Sequence, residues 1–135
     1  MTSSTTFIRG YPLFSVRYRI NIENELSKDP ISIRCTKVHF GLSNDFGIQL
    51  IPNKGYYNVT VKIDRSHLLR LFCTFNYPSL NETGQFLAFM DAPFYIDNTF
   101  GGRHCTWRFT DDGLYVYHLQ RKKFKFVYYW TYDKE

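Results

Sequence analysis

Apolar side chains recur at every second position along most of this chain, and each run stops at a turn signal, which restricts the fold to short, half-buried β-strands. Tyr18, Ile20 and Ile22 point one way, while Arg17, Arg19, Asn21 and Glu23 point the other. Ile31, Ile33 and Cys35 repeat the pattern, as do Phe46, Ile48 and Leu50, then Tyr57, Val59, Val61 and Ile63. The second half continues with Leu69, Leu71, Cys73, Phe75 and Tyr77, then Phe86, Ala88 and Met90. Cys105, Trp107 and Phe109 follow, then Leu114 and Val116, and last Phe124, Phe126, Tyr128 and Trp130. Between the runs stand Lys28-Asp29-Pro30, Ser43-Asn44-Asp45, Asn53-Lys54-Gly55, Pro78 to Gly84, Gly101-Gly102 and Asp112-Gly113. These residues tolerate positive φ or preset a bend. The expectation is an all-β fold, an antiparallel β-sandwich of about eight short strands. Residues 1–16 read as an N-terminal extension and 17–135 as the sandwich domain. The longest irregular stretch, Asp91 to Gly102, is the natural place for a binding loop.

Composition agrees. Aromatic residues form 19% of the chain and alanine occurs only at Ala88 and Ala92, a balance that favours pleated strands over helices. The net charge of +5 suits acidic polymers or an acidic receptor face and is too small to imply nucleic acid. Every apolar run is interrupted well short of the roughly 20 residues a membrane helix needs.

Catalytic and metal-binding readings find little support. There is no Gly-x-Ser-x-Gly elbow, and the Asp111-Asp112 pair precedes Gly113 in a hairpin turn, where aspartate serves local backbone bonding. A metal site would need His39, His67, His104, Cys73 or Cys105 to converge, yet His104 and Cys105 are adjacent on a strand and face opposite ways. No enzyme activity, cofactor or metal is therefore expected. Cys35, Cys73 and Cys105 leave room for one bridge and one free thiol, or for three core thiols in a reducing compartment. The sequons at Asn58 and Asn81 tilt the balance toward secretion, with Asn58 outward on its strand and Asn81 in a polar loop. Arg121, Lys122, Lys123 and Lys125 form a basic patch. It reads either as a site for an acidic polymer or as a charged guard on a sheet edge, with Lys125 turned outward between Phe124 and Phe126.

The order of these elements is distinctive. Cys35 closes an early strand, and Phe46 to Pro52 leads through Asn53-Lys54-Gly55 into Tyr56-Tyr57. Leu71-Phe72-Cys73-Thr74-Phe75 follows, then a hairpin in which Cys105-Thr106-Trp107 is joined to Asp112-Gly113-Leu114-Tyr115. Over roughly residues 17 to 132 this resembles the plant self-incompatibility protein S1 homologue family. The resemblance implies a small secreted β-sandwich with disulfides, related to stigma-borne ligands that inhibit incompatible pollen. The family places a further cysteine shortly before the Cys-x-Trp element, and Asp97 to His104 contains none. By resemblance the first and last cysteines pair, so the expected bridge is Cys35–Cys105, with Cys73 a buried free thiol. The implied function is a secreted, monomeric signalling ligand for a plant cell-surface receptor, with an extracellular carbohydrate or wall-polyanion binding module as the alternative. Its receptor-binding loop would carry Asp97, Asn98, Arg103 and His104.

Overall fold

Residues 16–63, 69–77 and 82–129 are described by a computed structural model. The strands among them are β1 (Val16–Asn24), β2 (Ile31–His39), β3 (Leu42–Ile51), β4 (Tyr56–Ile63), β5 (Arg70–Tyr77), β6 (Glu82–Met90), β7 (His104–Thr110), β8 (Gly113–His118) and β9 (Lys123–Tyr129). A short helix, α1 (Pro93–Thr99), lies between β6 and β7. The strands form two sheets, one of five in the order β4-β1-β7-β8-β9 and one of four in the order β3-β2-β5-β6. Neighbours are antiparallel except β1 and β7, which run parallel with Ile20 beside Cys105 and Ile22 beside Trp107. The expected β-sandwich is therefore present.

Alternation explains why the sheets pack. Ile20 and Ile22 of β1, Val59 and Val61 of β4, and Cys105, Trp107 and Phe109 of β7 are buried on the inner face of the larger sheet. They meet Ile31, Ile33 and Cys35 of β2 and Leu71, Cys73 and Phe75 of β5. Phe109 stands edge-on to Phe75 at a centroid distance of 5.0 Å, and Phe86 packs against Trp107 at 4.8 Å. Such pairs add about 0.5–1.5 kcal/mol each beyond the area they bury. One buried polar residue is built into this apolar layer. The Asn24 amide donates to the carbonyls of Ile51 and Asp29 at 3.0 and 2.9 Å, and its oxygen accepts from the Leu26 N–H at 3.0 Å. Asn24 thereby ties the turn after β1 to the end of β3.

Four expectations are corrected. The disulfide joins Cys35 to Cys73, and Cys105 is the buried free thiol. Cys35 and Cys73 are register partners on adjacent strands with Cα atoms 4.0 Å apart, the close kind of antiparallel pair that a disulfide spans directly. Cys105 belongs to the other sheet, alongside Ile20.

Second, Ile48 and Leu50 face solvent, 65% and 68% exposed. The β2–β3 register places Leu50 opposite Ser32 and Ile48 opposite Arg34, so the inward position falls to Ile51, opposite Ile31.

Third, Phe124 and Phe126 lie beside Tyr117 and Tyr115 on the outer face of the five-stranded sheet, while Lys125 pairs with buried Val116 and turns toward the interior edge. A bulge between Leu114 and Tyr115 offsets the pairing at this point.

Fourth, the stretch from Asp91 to Gly102 contains α1, started by Pro93 at its first turn and pinned by buried Ile96 and Phe100. Seven residues are too few to display a helical period. The side chains of Tyr128 and Tyr129, and residues Asn81, His67, Trp130 and 1–15, lie outside the described residues.

Burial raises the pKa of the Cys105 thiol far above its ordinary value of 9.0. The unfolded thiol ionises near that value and the folded one does not. Its contribution to stability is therefore fully present below pH 9.0 and is lost as pH rises beyond it. A thiol reagent at about pH 8 should label nothing in the native protein and Cys105 alone once it is unfolded, because only an accessible thiolate reacts.

Candidate functional site

The α1 corner is held by a histidine. His118, buried at the end of β8, contacts the Asp97 carbonyl through Nε2 at 2.8 Å, while its Nδ1 accepts from the Arg121 N–H at 3.2 Å. These partners assign the ring proton to Nε2. Gly101 lets the chain pass the imidazole: its φ is +70°, and a Cβ there would lie 2.5 Å from the ring. Gly101→Ala should therefore cost at least about 2 kcal/mol, from left-handed strain plus displacement of His118. Gly41→Ala, with φ +77° and nothing within 4 Å, carries the strain alone and should cost about 1 kcal/mol. Thermal melts of the two variants make the comparison.

The expected binding loop divides at this corner. Asp97 and Asn98 are exposed on α1, whereas Arg103 and His104 are exposed where the chain enters β7. Near the start of β1 the pKa of the Tyr18 hydroxyl is raised chiefly by burial, with Arg103 opposing the shift and Asp91 and Asp97 adding to it. Arg103 and His104 then join residues that sequence reasoning had not singled out. The Arg19 N–H donates to the Arg103 carbonyl at 2.9 Å, and Arg19 stands beside both His104 of β7 and Thr60 of β4. Arg17 faces Lys62 directly across the β1–β4 pair. Arg17, Arg19, Lys62, Arg103 and His104 thus gather on one solvent-facing corner, around a cleft of about 220 Å³ lined by all of these except Lys62.

Three cations elsewhere are paired with carboxylates. Arg108 Nε binds Glu23 at 2.8 Å with its guanidinium over the Phe124 ring, and Lys54 binds Glu25 at 3.3 Å. Arg34 holds Asp45, and with the Gly47 N–H lowers that carboxyl's pKa to about 2. No carboxylate among the described residues forms an ion pair with Arg17, Arg19, Lys62, Arg103 or His104. Like charges directly opposite on a sheet are destabilising. The corner therefore concentrates positive charge from Arg17, Arg19, Lys62 and Arg103.

A second cleft of about 370 Å³ continues along this face, lined by Arg19, Asn21, Glu23, Tyr56, Asn58 and His104 among others. Asn58 is exposed there, opposite Asn21. The basic patch also divides: Arg121, Lys122 and Lys123 are exposed at the β8–β9 turn, while Lys125 is half-buried. The aspartates of the β7–β8 hairpin serve the turn. Asp111 accepts from the Ser27 N–H at 2.9 Å, and Asp112 accepts from the Thr110 and Tyr115 hydroxyls at 2.5 and 3.2 Å. Among the described residues no three His, Cys, Asp or Glu side chains form a metal-binding group, and no helix is long and apolar enough to cross a membrane.

The chain is thus a small two-sheet β-sandwich with one intrasheet disulfide and a charged outer corner. Residues 19–130 match the family model described as plant self-incompatibility protein S1, and the chain belongs to that family. Among solved structures it is similar to a self-incompatibility protein homologue, described as one of a widespread family of small, highly stable, secreted proteins from plants. That match has a TM-score of 0.56 at 16% identity and covers 88% of this chain and 94% of the other. The secreted, extracellular setting expected of this chain fits the family. No curated protein matches the sequence.

Proposed function

We propose that this protein is a diffusible extracellular ligand that binds an acidic face of a plant cell-surface receptor through the corner formed by Arg17, Arg19, Lys62, Arg103 and His104. The observation that carries this reading is the concentration there of Arg17, Arg19, Lys62 and Arg103, all exposed and without an ion-pair partner among the described residues. Charges arranged this way speed encounter with an acidic partner and discriminate against basic ones. Asp97 and Asn98 supply contacts at the rim, on a helix anchored to the fold. A glycan at Asn58 would rise from the same face, next to Arg19, and would limit which partners reach the cleft. Asn81, the other sequon, belongs to the same proposal as an acceptor remote from it in sequence. No catalytic step is assigned to the protein.

The second reading is an acidic wall polysaccharide bound through Arg121, Lys122 and Lys123, favoured by three exposed cations on one turn. Fluorescently labelled protein titrated onto protoplasts and onto walled cells separates the two. A receptor ligand binds protoplasts saturably, and mild surface proteolysis removes the binding. Binding that needs the wall and disappears on pectin digestion would replace the receptor with the polysaccharide.

A further inference from the structure

The sandwich is open along one side, where β6 and β9 are the outer strands of their sheets, and α1 packs on β6 and β8 and meets β9 through Lys125. A groove of about 440 Å³ occupies this side, with Phe86, Leu87, Trp107, Val116 and Val127 among its walls. That volume and lining fall within the range of small-molecule sites. The polar atoms of the aromatic walls are already committed: the Trp107 indole N–H donates to the Ala88 carbonyl at 3.1 Å, and the Tyr95 hydroxyl to the Leu87 carbonyl at 2.6 Å. What remains is a mainly apolar surface, with Gln85 and Thr99 at its polar positions and one charge.

That charge is Lys125. Its Nζ donates to the Asn98 carbonyl at 2.5 Å, which uses one of three N–H donors, and no carboxylate among the described residues pairs with it. Burial, with repulsion from Arg121, lowers the lysine's pKa, and an anion beside the ammonium would oppose both effects. We propose that the groove binds a small amphipathic carboxylate, its apolar body against Trp107, Phe86 and Val127 and its head accepting hydrogen bonds from the Lys125 ammonium. The site lies apart from the cationic corner and is independent of the receptor reading.

The test is calorimetric titration of the full chain with decanoate below its micelle concentration, with decanol as the same tail lacking the charge. The Trp107 indole resonance is followed in parallel. Saturable one-to-one binding of decanoate is expected, with the indole signal shifting. Lys125→Gln should weaken it by at least about tenfold, Lys125→Arg should retain it within about threefold, and decanol should bind at least about tenfold more weakly than decanoate. Lys125 is at the sheet edge, so folding of the variants is checked by their melts. Absence of saturable binding by the wild type, or equal affinities for wild type and Lys125→Gln or for acid and alcohol, would overturn the proposal.

Discussion

Replacing both Cys35 and Cys73 with alanine should lower the unfolding free energy by about 4 kcal/mol, the loop-closure entropy expected when a cross-link spanning 38 residues is lost. The bridge lies inside the four-stranded sheet and joins β2 to β5, two strands separated in sequence by β3 and β4 and otherwise free to move apart in the unfolded chain. Cys105→Ala, by contrast, removes one buried sulfur and no cross-link, and should cost about 1 kcal/mol. Urea unfolding of the single and double variants distinguishes the pairings. A large loss in Cys105→Ala with little in Cys73→Ala would mean that the bridge runs between the sheets.

Trp107→Ala should destabilise the protein by about 3–5 kcal/mol, the range for deleting a large aromatic from a packed core. Trp107 is 3% exposed, packs at a tilt against Phe86, and meets Phe100 edge-on at 5.9 Å. Its N–H is also the donor to the Ala88 carbonyl, so the ring joins the two sheets through both packing and a buried hydrogen bond. Trp107→Phe keeps most of the packing and loses the donor, and should cost about 1–3 kcal/mol. Equal losses in the two variants would show that the hydrogen bond, and not the ring volume, dominates.

The strands facing the core on one side were readable because β1, β4, β7, the first half of β2 and, apart from the outward Phe72, β5 alternate between inward and outward positions. Failure came where the sheet departs from that condition. Ile48 and Leu50 sit on a sheet-edge strand whose outer face carries apolar side chains, so hydrophobicity pointed to the wrong face. In β9, alternating Phe124 and Phe126 pack on Tyr117 and Tyr115 outside the core, at centroid distances of 4.9 and 6.2 Å. A period of two is equally satisfied by either face, and only cross-strand register selects one.

The cysteine pairing failed for a related reason. All three cysteines face inward, and inwardness alone does not say which two share a pair of neighbouring strands. The candidate site was half legible: Arg103 and His104 were found from the irregular stretch, and Arg17 and Arg19 were already on the outward face of β1. That these four and Lys62 converge depends on β1 lying between β4 and β7, a long-range pairing with no local signal. Lys125 was missed as a groove residue because its inward turn follows from the β8–β9 register and its bulge.

The most direct test of the recognition surface is protoplast binding by an Arg19→Glu/Arg103→Glu double variant beside wild type and beside a Lys122→Glu/Lys123→Glu control. Both targeted arginines are exposed, so the fold should survive, and matching melts establish that it does. The cationic-corner account predicts that Arg19→Glu/Arg103→Glu weakens saturable binding by at least about tenfold, while the turn variant stays near wild type. Full binding by the corner variant, with loss in the turn variant, would contradict it.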